Sequence, residues 1–364
     1  VLQQSAYNPK FSANMPQIGA WFAANPIGAE PDEAAFAALA ADLKTATAAK
    51  TVAIAGERVN YEIPGTRSLF TAAGRQAKDL TPPFKEAIIA IDPKWADPAL
   101  WGVMRQVSSA FTTDFYLAAL DLERDPNGAI VQVPENERVY VNLFLRTFAM
   151  SAVITLLCLI LGYPIAHLLS VLPMRYSNLL MILVLLPFWT SLLVRTTAWM
   201  VLLQNQGVVN NILVWMGIVA DKGRLEMINN LMGTVIAMTH ILLPFMILPL
   251  YSVMRPIPPS YVRAARSLGA TSWTAFRRVY LPQTIPGIGA GGLLVFILSV
   301  GYYITPALVG GASGQLISNL IAFHVNKSNN WSLAAALATI LLAAILLLYW
   351  LYDKLVGIDK LKLG

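Results

Sequence analysis

Residues 261–282 read YVRAARSLGATSWTAFRRVYLP, and the reading of this stretch decides the fold. It is a basic loop between two long apolar runs, and it divides into two short helices. Ser260 is placed to cap the first helix, and Gly269 to end it in a left-handed turn that a Cβ would strain. Ser272 starts the second, and Pro282, lacking an N–H, bars its continuation. Ala264 and Ala265 leave one face of the first helix nearly smooth, open to close approach by another protein surface.

The flanks of the loop are those of a membrane protein. Hydrophobic residues make up 56% of the chain and charged residues 13%, with a mean hydropathy of +0.58; soluble domains carry about a quarter charged residues. Five runs, near 139–171, 177–203, 228–254, 284–309 and 331–352, reach the ~20 residues that cross a bilayer. A soluble core helix would be shorter and carry a polar stripe.

Charge divides the chain in the same place as hydropathy. Residues 1–138 hold 12 Lys/Arg and 16 Asp/Glu, whereas residues 139–364 hold 14 against 4. The pI of 9.3 therefore reflects basic loops retained inside the cell rather than a nucleic-acid surface. Arg255, Arg263, Arg266, Arg277 and Arg278 stand in the central loop with no acid, which places it in the cytoplasm. Arg175 and the tail with Lys354, Lys360 and Lys362 fall on that side. Alternation puts residues 1–138 and 204–227 outside.

The first 138 residues read as a mostly helical external domain. Segment 31–50, PDEAAFAALAADLKTATAAK, has helical spacing, as do 67–79, 83–90, 96–110 and 113–122. TVAIA at 51–55 and AIVQV at 129–133 are strand-like, Asp125 to Gly128 make a turn, and PENER at 134–138 leads into the membrane. The acids are read as a solvated surface, with a docking face for a periplasmic partner as the sharper alternative. The chain starts at Val1 without a signal-peptide pattern, so an upstream membrane helix is expected, with a cleaved signal peptide as the alternative. Cys158, the single cysteine, lies in an expected span, so disulfides within the external domain are excluded.

Inside the spans, ionisable groups are costly and tend to mark function. Arg146 and Arg195 lie toward outer ends, where snorkelling or pairing with carbonyls accounts for them as well as a pathway does. His240 precedes Pro244 and is read as bonding a freed carbonyl. Trp189, Trp199, Tyr302 and Tyr303 offer an aromatic lining suited to organic cations, although an interfacial belt explains Trp199 and Trp215 equally. Gly287 and Gly291 have the spacing that lets helices pack closely.

The spacing of Ala264, Ala265, Gly269, Leu281 and Pro282, with Val279 in the Ile place, resembles the EAA loop of permease subunits of binding-protein-dependent ABC importers. Arg263 departs, standing where that family usually has an acid. LGYPIA at 161–166, PFWTSLLVRTTAW at 187–199 and GVVNN at 207–211 resemble the spermidine/putrescine-type branch. The resemblance, over about 139–364, implies an all-α, type I ABC importer permease fold with six spans, in the bacterial inner membrane. It implies a subunit that is not itself an enzyme, serving an ATP-driven importer for a small organic solute, polyamines among the candidates. The implied docking residues are Arg263, Ala264, Ala265, Leu268, Gly269, Leu281 and Pro282. The implied partners are a cytoplasmic ATPase dimer, a second permease of different sequence and a periplasmic solute-binding protein, besides membrane lipid. No cofactor or metal is expected in this chain, ATP and Mg belonging to the ATPase, since no Gly-rich Lys-Ser/Thr loop is present. Arg195, Trp199, Tyr302 and Tyr303 are the candidates for the solute path. A secondary transporter or channel uncoupled from ATP is the alternative, but neither inverted repeats nor midplane acids are visible.

Overall fold

The computed structural model describes residues 2–125 and 128–356. The expected tail positions Lys360 and Lys362, and Pro126 and Asn127 of the expected turn, lie outside the described residues. The described residues form two compact units, one within 2–141 together with 323–339, the other 142–322 together with 340–356.

The first unit is helical. Asp32 accepts the Ala35 N–H at 2.9 Å and starts Glu33–Ala48, the helix expected over 31–50. Thr66–Gln76, Phe84–Ile91 and Pro98–Val107 follow the other expectations closely. Phe11, Phe36, Leu39, Leu43, Phe70, Ile88, Trp95 and Met104 form its core. TVAIA, expected as a strand, opens the helix Val52–Asn60 instead. Val52, Ala55 and Val59 recur on one helical face and are buried, and that spacing outweighs the local β-branched content. AIVQV does supply a strand: β1 (Leu122–Arg124) pairs antiparallel with β2 (Ile130–Gln132), Glu123 facing Val131. The expected helix at 113–122 shrinks to Asp114–Ala118, because Asp121 turns the chain at φ 56°.

Two acids depart from the expected solvated surface. Asp42 is buried and accepts the N–H groups of Gln17 and Ile18 at the start of Pro16–Ala24. Burial pushes its carboxyl above the ordinary range despite those bonds. Asp121, also buried, accepts the N–H groups of Val139, Tyr140 and Val141 at 2.8–3.1 Å, donors that a helix start leaves free. Burial works against the charge of Lys10, but hydrogen bonds to Tyr61 and Glu57 outweigh it and hold the ammonium above its ordinary range. Residues 323–339 join this unit through Asn8 Nδ2 donating to Ser332 Oγ at 3.0 Å and Tyr61 OH donating to the Asn329 carbonyl at 3.1 Å. The His324 ring lies between Tyr140 OH (3.1 Å) and Ser328 Oγ (2.9 Å).

Among the described residues, four helices are long and apolar enough to cross a membrane: Tyr140–Val171, Leu231–Met254, Ser272–Gly301 and Trp331–Lys354. The second expected span, 177–203, is not one rod. Met174–Trp189 and Leu192–Leu202 meet at 96°. Pro187 interrupts the hydrogen bonds of the first half, and Ser191 caps the second by accepting the Val194 N–H at 3.2 Å. The span expected at 284–309 begins instead at Ser272 and ends at Gly301, where Tyr302 takes an extended backbone and Ile304–Val309 forms a separate short helix.

Leu231–Met254 and Ser272–Gly301 pack most intimately. A Cβ at Gly291 would stand 2.9 Å from Met246 Sδ and 3.2 Å from the Met246 carbonyl oxygen, so the pair approaches at backbone distance, the packing role expected of these glycines. Ile154, Cys158, Leu169, Met238, Leu242, Met246 and Leu250 complete this core.

Candidate functional site

The basic loop begins with consecutive prolines. Pro258 occupies the N-cap position of the helix Pro259–Ser267, so Ser260 lies within its first turn and is not the cap. Pro259, at the first helical position, brings the φ the turn needs and lacks an N–H that would have no partner there. The helix ends as expected at Gly269, φ 91°. Ala270 N–H reaches the Ala265 carbonyl at 3.1 Å and Gly269 N–H the Arg266 carbonyl at 3.0 Å, the paired bonds of a left-handed helix stop. Thr271 accepts the Thr274 N–H and caps the next helix, with Ser272 its first residue.

Pro282 does not end that helix. A π-turn over Phe276–Tyr280 leads directly into Leu281–Gly301, with Pro282 in the first turn after it. The wide turn resets the hydrogen-bond ladder just where proline has no N–H to give. From Ser272 onward, loop and span are therefore one continuous element, stiffened by Trp273 stacked on Phe276 and Phe276 on Tyr280.

The loop is held by its base and bare at its tip. Tyr280 OH meets His167 Nδ1 at 3.0 Å, and Arg255 donates to the carbonyls of Ser170 and Leu172 near the end of the first spanning helix. Pro259–Ser267 buries none of its side chains, and Leu268 is 89% exposed. Of the expected docking residues, Arg263, Ala264, Leu268 and Gly269 are exposed and Ala265 half-buried on this one helix and its turn. Leu281, half-buried, and Pro282, exposed, lie on the spanning helix. A cleft of about 900 Å³ beside the loop is lined by His167, Arg255, Pro258, Val262, Arg263 and Tyr280, among others.

A second polar cluster sits at the break between Gly301 and Ile304. Thr196 and Thr305 hydroxyls, both fully buried, meet at 3.2 Å, joining Leu192–Leu202 to Ile304–Val309. Trp199 Nε1 donates to His240 Nδ1 at 3.1 Å; His240 is thus occupied by an indole rather than by the freed carbonyl expected for it. Arg195 lies within electrostatic reach of His240 and Tyr302, and its Nε and Nη1 are buried without an acceptor. Tyr303 does not join them: it is exposed, its carbonyl accepts from Asn319 Nδ2, and its side chain makes no hydrogen bond or ring contact among the described residues. Arg146 reaches the carbonyls of Ala312 and Ser313.

Residues 158–356 match the family described as the binding-protein-dependent transport system inner membrane component. The chain belongs to that family. It is similar to the spermidine/putrescine transport system permease protein PotB of Haemophilus influenzae, 37% identical over 222 residues that cover 60% of this chain and 77% of that protein. PotB of Escherichia coli K12 is 34% identical over 254 residues, 69% of this chain and 86% of its own. A solved bacterial alginate ABC transporter, in complex with a periplasmic protein bound to an alginate pentasaccharide, aligns with TM-score 0.49 and 18% identity, covering 60% of this chain and 78% of that one. The permease is thus an all-α subunit of an ABC importer, and the family match takes in the loop, the bent pair and the Arg195 cluster.

Proposed function

We propose that this permease moves a small organic solute inward on energy from ATP hydrolysed by a separate cytoplasmic ATPase pair docked on residues 259–282. The observation that carries this reading is the helix Pro259–Ser267, which buries no side chain and ends in exposed Leu268 and the left-handed Gly269. A segment so formed and so bare is suited to a protein groove. The second half of the loop, from Ser272, runs through the π-turn into the span ending at Gly301 and offers a rigid lever for movement of the ATPase to reach the spans.

In this scheme residues 1–138 and 204–227 are periplasmic and the loop and C-terminus cytoplasmic. A periplasmic binding protein delivers the solute, a second permease of different sequence completes the path, and ATP and Mg stay with the ATPase. The PotB relatives make polyamines the first solute class to test. A second reading rests on Arg195. Two buried guanidinium nitrogens without an acceptor, Nε and Nη1, are costly, and a solute bearing a carboxylate or phosphonate would supply one.

The test is uptake into proteoliposomes holding the complete importer and its binding protein, across polyamines, opines and aminophosphonates. ATP-dependent uptake of any of them, with no effect of collapsing ion gradients, is the expected result. Uptake that follows an ion gradient and ignores ATP would overturn the coupling. Spermidine or putrescine uptake unaffected by Arg195→Ala would remove the anionic-solute reading.

A further inference from the structure

The docking surface carries charge of one sign only. Five arginines and no acid stand between residues 255 and 282, and none is in an ion pair among the described residues. Arg255 is committed to the carbonyls of Ser170 and Leu172. Arg263, Arg266, Arg277 and Arg278 are exposed, and their side chains make no hydrogen bond among the described residues. Beside them Leu268 is 89% and Trp273 67% exposed, the apolar and aromatic type of anchor that protein interfaces bury.

Covering four guanidinium groups with a neutral or basic groove would strip their water and return nothing, at a large cost per charge. The groove must therefore supply carboxylates. Arg263 marks where one of them goes. It lines a cleft of about 900 Å³ in which Arg255 is held through Nη1 on two carbonyls and His167 Nδ1 meets the Tyr280 hydroxyl, while the Arg263 guanidinium makes no hydrogen bond among the described residues. Pro258, Val262 and Tyr280 form apolar and aromatic parts of the wall. One uncommitted guanidinium in such a cleft suits a single carboxylate, which pairs with it through two parallel bonds.

We propose that the ATPase groove receiving this loop is acidic, and that one of its carboxylates enters the cleft beside Pro258 to pair with Arg263. This rests on the docking reading above and names the chemistry of the partner.

The test uses the full importer co-expressed with its own ATPase and binding protein, and reads how much ATPase a tagged permease retains, with membrane insertion and elution profile as folding controls. Arg263→Glu should weaken retention at least about tenfold, the scale of close interfacial charge pairs, while Arg263→Lys keeps most of it. Reversing one groove carboxylate of the ATPase to Lys should restore retention to the Arg263→Glu permease. Full retention by Arg263→Glu, alongside loss in Gly269→Val, would overturn the acidic partner and leave the docking reading standing. Full retention by Gly269→Val would remove the docking reading itself. Rescue of Arg263→Glu by changes in phosphatidylglycerol content, and by no carboxylate reversal, would assign the charge to lipid and overturn the proposal.

Discussion

The carboxylate of Asp121 gathers three backbone N–H groups, those of Val139, Tyr140 and Val141, from the start of the first long apolar helix. Asp121→Ala leaves these part-buried helix-start donors without that acceptor, a loss of about 1 kcal/mol, the usual worth of an N-cap, to be seen as a lower thermal midpoint of the purified permease. His324 carries a pH dependence. Burial holds its imidazole below the ordinary 6.5, so the unfolded chain binds the proton more readily than the folded one. The stabilisation is complete above pH 6.5 and is lost as pH falls below it. Wild type should accordingly lose thermal stability more steeply below that value than His324→Gln, and parallel pH profiles would refute the assignment. Neither residue announced itself in the sequence. Asp121 resembles its solvated neighbours until the chain folds back eighteen residues later, and His324 meets Tyr140 from 184 residues away. Gly269 was legible because its left-handed turn is a local property.

At the scale of elements, hydropathy located the spans but not their interruptions. A window of apolar residues has the same mean hydropathy whether its helix is straight or bent by 96°, and only Pro187 and Ser191 hinted at the bend between Met174–Trp189 and Leu192–Leu202. Ser191→Ala should destabilise the second half by about 1 kcal/mol, the usual worth of an N-cap. Faster hydrogen exchange confined to residues 192–195 would be the sign of it, and unchanged exchange would show that tertiary contacts hold the helix alone. Pro282 misled in the opposite direction, because a π-turn lets the chain pass a proline that would stop a regular helix. Where Gly291 meets Met246 the two helices touch without slack. Gly291→Val should therefore cost about 1–3 kcal/mol through overpacking, lowering the thermal midpoint, whereas an unchanged midpoint would mean the helices separate freely.

For the whole molecule, the division of charge at residue 138 and the loop of five arginines make sidedness testable. With Cys158 replaced by Ser, Gln76→Cys should react with an impermeant maleimide added to intact spheroplasts, and Ser267→Cys only after the membrane is opened. The central claim is that the segment from Pro259 to Gly301 transmits the work of a separate ATPase. Retention of that ATPase by the tagged permease tests it most directly, comparing wild type with Gly269→Val, whose side chain cannot take φ 91° without strain. The account predicts near-complete loss of the ATPase from the variant at equal permease insertion; equal retention by both proteins would contradict it.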